Sequence, residues 1–388
     1  MSRKIWLSFF TVLVLAGGVL ACGEDDGVKE SEILGTSLTI YSSLPLQGPL
    51  APVSRDVVRA EKLALREAGG RAGAYDVAFV SLDSADPETG RWSPGQVAAN
   101  ARKAVQDRQA IAYLGELDSG ASAVSLPILN EGGLLMVSPR DTYAGLTEPG
   151  GRGEPEKYYP SARRTFARVV PPDDQQAQDL VADMASHNVE RLIVADDREV
   201  AGVSMGDRVA RAARDAGIEV VDRLRLDPGG DVPDDLGEEV RQERPDAFFY
   251  AGTYSRFAVG VLREVHDGAP AMRLYGADDL AMAPQLPATL PADVARRTML
   301  TGIDPAPGAD EAFERAYVRA YGEKPERQAI LGYRAMKLVL GAISRAGEGA
   351  KSRRRVIDLT LRMVGEPRAR FTRYRVAGNR LVRVRDAL

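Results

Sequence analysis

Ser119, Gly120 and Ser122 stand together in YLGELDSGASAVSLPIL, residues 113–129, where an apolar run ends in Gly115 and an amphipathic run begins. Small residues and hydroxyls at the mouth of a helix suit two tasks. One is capping, which Ser does well by accepting a backbone N–H of the first turn. The other is holding an anion. The first N–H groups of a helix lack partners, and small side chains let a carboxylate come close to them. Hydroxyls then add donors without adding charge. A ligand that also carries an ammonium needs an acid at its other end, and Asp278 in GADD could supply one. Its neighbour Asp279 could equally cap the LAMAPQ segment that follows.

A second pattern points to different chemistry. GVSMG, Gly202 to Gly206, satisfies G-x-S-x-G around Ser204, and His266 follows later in the chain. A nucleophile elbow needs its serine directly on a strand-to-helix turn. Here the apolar run ends near Ala195 and the polar DDREV intervenes, which argues against a serine hydrolase. With two histidines and one cysteine, a transition-metal site is not expected. No Walker or dinucleotide fingerprint occurs, so no cofactor is expected either. A net charge of −4 and 6% aromatic residues argue against nucleic acid as the partner.

These residues need a frame, and the pattern from residue 38 onward supplies one. Strand-like runs (SLTIYSSLPL, YDVAFVSLDSAD, AIAYLGE, GLLMVSP) alternate with helical ones such as RDVVRAEKLALREAGG, which stops on Gly69-Gly70, and PGQVAANARKAVQDRQ, with Pro94 in its first turn. A polar, Gly-rich insertion follows, and the alternation resumes through VERLIVADD, IEVVDRLRL, DAFFYAG and AMRLYGADD. Strands alternating with helices imply right-handed βαβ units and parallel sheets covered on both faces. Two successive sets, in a chain of 388 residues, imply two doubly wound lobes. The tail RARFTRYRVAGNRLVRVRDAL reads as an antiparallel pair turning at Gly378-Asn379. In such sheets ligands bind at the carboxyl ends of strands, where GELDSGAS, SPRDTY, AGTY and GADD all fall.

The first 21 residues read as a secretory signal, with Arg3 and Lys4 before an apolar run from Ile5 to Leu15. VLAC, Val19 to Cys22, resembles the lipobox of bacterial lipoproteins, which implies that Cys22 is lipidated and anchors the exported chain to a membrane surface. Cys22 is the only cysteine, so it has no internal disulfide partner. Residues 22–37 then form a polar, acidic tether. Loss of Arg3 and Lys4 with the signal takes the charge from −4 to −6.

The ordered set GPLAPVSRDVVRAEKLALREAGG, YLGELDSGASAVSLPILNEGGLLMVSPRDTYAGLT, RTFARVVPPDDQQAQ, FFYAGTYSRFAVGVLREV and LYGADD resembles the branched-chain amino-acid receptors among the type 1 periplasmic binding proteins, over residues 38–388. The resemblance implies an α/β fold of two Rossmann-like lobes joined by three crossovers, with residues 38–165 plus 305–346 in the first lobe and 166–304 plus 347–388 in the second. It implies an amino acid in the interlobe cleft, no catalysis, and delivery to an ABC permease. Carried over by position, Ser119 and Gly120 would hold the ligand carboxylate, with Ser122 one turn on. Arg140, through its backbone, and Thr142 would form the second loop of the cradle, although Thr142 also suits a turn after Pro139. Tyr254 would line the pocket, and Asp278 would meet the ammonium. The sequence departs from the family at three places. An aromatic of the first loop falls on Val53, a tyrosine meets Val200 or Ala201, and the acids Asp118 and Asp141 adjoin the cradle. Another solute class, an amide, urea or carboxylate sensed without transport, is the alternative those departures leave.

Overall fold

Strand β1 (Ser37–Leu44) is buried along almost its whole length, as expected of a strand covered on both faces of a parallel sheet. The computed structural model describes residues 32–151, 153–305 and 311–384. After β1 come α1 (Ala51–Glu67), β2 (Arg71–Ala72), β3 (Tyr75–Asp83), α2 (Pro94–Gln106), β4 (Ala110–Leu114), α3 (Ser119–Glu131), β5 (Leu135–Ser138) and β6 (Phe166–Arg168). Their sheet has the order β2-β3-β1-β4-β5-β6, parallel except for β2.

The chain then builds a second sheet from α4 (Asp174–Ser186), β7 (Arg191–Asp196), α5 (Val200–Asp215), β8 (Glu219–Arg225), α6 (Leu236–Gln242), β9 (Ala247–Ala251), α7 (Arg256–Gly268) and β10 (Arg273–Gly276). Short helices α8 (Asp278–Ala281), α9 (Leu286–Thr289) and α10 (Ala292–Arg297) lead to β11 (Thr298–Asp304). Helices α11 (Glu311–Tyr321), α12 (Ala329–Ala346) and α13 (Arg353–Met363) return to the first lobe, and β12 (Arg370–Ala377) and β13 (Arg380–Arg383) close the second. The second sheet runs β13-β12-β11-β10-β9-β7-β8, with the last five parallel and β12 and β13 antiparallel. The expected hairpin at Gly378-Asn379 is this β12–β13 pair, and Gly378 takes the positive φ of 57° that its turn requires. The order of the parallel strands reverses at β1 and β4 in the first sheet and at β7 and β9 in the second, the switch points outside whose carboxyl ends α/β sheets bind ligands.

The boundaries differ from the sequence expectation at three places, the first being the tether, since Ile33 is buried in the first lobe's core and Ser37 opens β1. Phe166 pairs in register with Met136, so β6 belongs to the first sheet although it lies beyond residue 165. Helix α13 lies beyond residue 346, yet Val356 and Ile357 are buried with Ile111, Leu135 and Met336 of the first lobe. The three crossings therefore lie between β6 and α4, between β11 and α11, and between α13 and β12.

Arg353 fixes that last helix in place. Its guanidinium donates to the carbonyls of Ala110 at 2.9 Å, Gly132 at 3.0 Å and Asp107 at 2.8 Å. Arg353→Ala is expected to lower the stability of the first lobe by about 2 kcal/mol, since charge-assisted hydrogen bonds are lost while water reaches part of the site. Urea denaturation followed by tyrosine fluorescence checks this. An unchanged midpoint would show that α13 is held by its apolar face alone.

Candidate functional site

The mouth of α3 is built from its own loop and the loop after β5. Asp118 is the N-cap, with its carboxylate accepting from Gly120 N–H at 2.8 Å. Ser119 and Ser122 lie inside the helix, so neither is the cap. Ser119 Oγ accepts from Tyr143 N–H at 3.4 Å, whereas Ser122 Oγ accepts from Glu116 N–H at 3.3 Å and donates to Asp141. Ser138, which the sequence reading passed over, joins the two loops. It donates to Glu116 O at 2.9 Å and accepts from the N–H groups of Arg140 and Asp141 at 3.0 and 2.8 Å. The Ser122 hydroxyl and the Gly120 and Arg140 N–H groups expected to cradle a ligand carboxylate thus donate within the chain, whereas the Ser119 hydroxyl accepts.

The loop after β10 brings Asp278 to this mouth from the opposite lobe, and the acid is only 2% exposed. Its carboxylate accepts from Arg140 Nη2 at 2.9 Å, and its carbonyl accepts from the same nitrogen at 2.9 Å. Arg140 Nη1 donates to Asp279 at 2.9 Å and to Leu117 O at 3.1 Å. The Arg140 side chain crosses between the lobes, and Asp278 meets a guanidinium of its own chain.

Thr142 is buried, and its carbonyl accepts from Asp173 N–H at 2.8 Å. Tyr254 is half-buried after β9 and packs against the second lobe's core, where Leu50 of the first lobe is also buried. Val53 is buried among Leu44, Val57, Val58 and Leu117, and it also lines a cavity of about 200 Å³ shared with Met282 and Arg380 of the second lobe. Val200 borders another interlobe cavity of about 210 Å³, with Tyr143, Glu154 and Arg208. Trp92 was missed by the sequence reading although it is one of only two tryptophans. It lies across the helix mouth so closely that a Cβ on Gly120 would come within 2.9 Å of its ring.

The cleft holds more acids than cations, and burial dominates their titration. It pushes Asp118 up to about 6, with Asp279 and Glu199 adding to the effect. It pushes Asp141 up to about 7 and Glu116 up to about 8, although Tyr113 and Ser43 donate to Glu116. Asp278 rises to about 7 through burial and Asp279, against the opposing pull of Arg140. Burial also opposes the charge on Arg140, but Asp278 and Asp279 hold it protonated. Such a site can grip a small polar molecule. Ser204 does not form a nucleophile elbow, because it sits in the second turn of α5 and accepts from Arg208 Nε at 3.3 Å, while His266 lies 3.6 Å from Asp293. Among the described residues no group of His, Cys, Asp and Glu is placed to hold a metal ion, and no helix is long and apolar enough to cross a membrane. Cys22 lies outside the described residues.

Comparison with known proteins agrees with this architecture. The chain is 24% identical over 316 residues to the Leu/Ile/Val-binding protein BraC3 of Rhizobium johnstonii, covering 80% of each protein. The leucine-binding protein LivK of Thermotoga maritima superposes with a TM-score of 0.74 at 19% identity, covering 90% of this chain and 98% of that one. A solute-binding protein of an ABC transporter from R. palustris, solved in complex with benzoate, gives 0.71 at 16% identity, covering 90% and 95%. At these identities the solved structures establish the fold, two α/β lobes. The family description "periplasmic binding protein" matches residues 38–379, nearly the whole described chain, and the chain belongs to that family, in its type 1 two-lobe form.

Proposed function

We propose that this chain is the extracytoplasmic solute receptor of an ABC importer, taking an amino acid or a related small acid or amide between its lobes and handing it to a membrane permease without covalent chemistry. The observation that carries the proposal is the meeting of the α3 mouth (Ser119, Gly120, Ser122 and Thr142) with Asp278 from the opposite lobe, all buried at one point of the cleft. Lobes that close there can enclose a solute and sense its presence by hinge motion. Relatives named for Leu, Ile and Val support an aliphatic amino acid. The structure with benzoate, together with the Arg140–Asp278 pair, favours a second reading in which the solute is a carboxylate without an ammonium. Tyr254 and Trp92 would supply apolar contact in either case. Export by the N-terminal signal and lipidation of Cys22 would hold the receptor at the membrane surface beside its permease.

A thermal-shift screen across amino acids, their deaminated analogues and small amides tests the proposal. A true ligand at ~100 times its dissociation constant is expected to add about 2.7 kcal/mol to the folded state. A screen in which no member raises the melting temperature would remove this class of solutes.

A further inference from the structure

We infer that Arg140 determines which solutes the cleft accepts: its guanidinium occupies the acids that would otherwise receive an ammonium, and its one remaining N–H is left for an oxygen of the solute. This inference rests on the reading of the cleft as the solute site. Four of the five guanidinium hydrogens have acceptors, namely Leu117 O, Asp279 Oδ1, Asp278 O and Asp278 Oδ2. The fifth, on Nε, is buried and has no acceptor among the described residues. A buried donor without a partner is costly, and the group that relieves it is an acceptor, such as a carboxylate or amide oxygen.

The same geometry excludes an α-ammonium. Asp278 is 2% exposed, and the fork of Arg140 spans it and Asp279 together, an arrangement a point-like ammonium reproduces poorly. An amino acid entering this cleft would have to displace a guanidinium that is itself 1% exposed. A solute lacking the ammonium does not contend with Arg140 for Asp278, and Trp92 at the helix mouth suits an apolar body. The class this selects is a small aliphatic or aromatic carboxylate or amide without an α-amino group.

Isothermal titration of the full chain with matched pairs tests this, using leucine against 4-methylpentanoate and phenylalanine against 3-phenylpropanoate. The wild type is expected to bind the deaminated member about tenfold or more tightly. Arg140→Gln, which keeps a planar polar group and drops the charge, frees Asp278 and is expected to shift that ratio toward the amino acid by about tenfold or more. A wild type that prefers the amino acid overturns the inference without any variant. So does a ratio that Arg140→Gln leaves unchanged, and in that case the cleft remains a solute site. Silence of both proteins toward every pair removes the solute reading and the inference together.

Discussion

Arg140→Ala is expected to lower the unfolding free energy by about 3–5 kcal/mol at pH 8 and by clearly less at pH 5. The wild-type side chain is fully buried between the lobes and satisfies two carboxylates and two backbone carbonyls. Its removal leaves Asp278 and Asp279 facing each other in a site that water reaches poorly. A broken buried pair is penalised far more than an exposed one because the remaining charge has no compensation. The penalty depends on ionisation. Asp278 already titrates at about 7 and Asp118 at about 6, both raised chiefly by burial. Without the guanidinium both rise further, so the folded variant binds more protons than the folded wild type. The gap between the two proteins therefore widens as pH rises through this window and narrows below it. Urea titrations of both proteins at pH 5 and pH 8 measure the gap. Equal losses at the two pH values would mean that Arg140 contributes through packing of its stem and not through its charge.

This pair also marks where the amino-acid sequence stops being informative. The alternation of apolar runs with amphipathic ones identifies the strands and helices around the cleft, because period and punctuation are local. Gly69-Gly70 ends α1 and Pro94 opens α2 for reasons that need no neighbours. The loops at the strand ends are likewise legible, since parallel connectivity forces them to one side of each sheet. Less legible was the stretch from residue 283 to 369. Its short helices and the helices of the first lobe surround one strand, β11, without the regular strand–helix alternation that made the rest readable. The three-residue β6 is too short to carry a period, which is why a boundary at 165 cuts it from its sheet.

Roles within the site were less legible still. Assigning Arg140 a backbone role by position treats its side chain as incidental, yet that side chain joins the two lobes through Asp278 and Asp279. Its reach depends on the separation of two lobes distant in sequence, 138 residues apart at Asp278. Asp118 had a local signal, an acid two residues before a glycine at a helix start, which is the pattern of a cap. That signal explains why an acid stands beside the α3 mouth. Its carboxylate accepts from the Gly120 N–H. The chain's own side chains stand at both places where the zwitterion grip is expected, Asp118 at the helix mouth and Arg140 at Asp278. A position inherited from a family keeps its place in the fold, but its role follows the residue type that occupies it.

Glu61→Leu is expected to stabilise the protein by an amount that grows with pH, small near pH 5 and about 4 kcal/mol at pH 8. Glu61 lies on α1 where α12 crosses it closely, and a Cβ on Gly332 would come within 2.6 Å of Val57 and 3.3 Å of Glu61. The side chain is fully buried, and that burial pushes its carboxyl up to about 8, with Ser42 and Lys62 offsetting only part of the effect. An acid whose folded value lies above its unfolded one binds more protons when folded. Between about pH 4.5 and pH 8 the native state therefore loses stability as pH rises, because unfolding lets Glu61 ionise in water. Leucine has no such slope, and its apolar body suits the α1–α12 interface. The other buried acids, Glu116, Asp141 and Asp278 among them, contribute equally to both proteins and cancel in the difference. Denaturation midpoints of wild type and variant at half-unit steps from pH 5 to pH 8.5 give the difference directly. Parallel curves would show that Glu61 titrates alike in the folded and unfolded chains. Divergence above pH 5 locates one of the costs of neutral pH in the first lobe's helix crossing, away from the cleft.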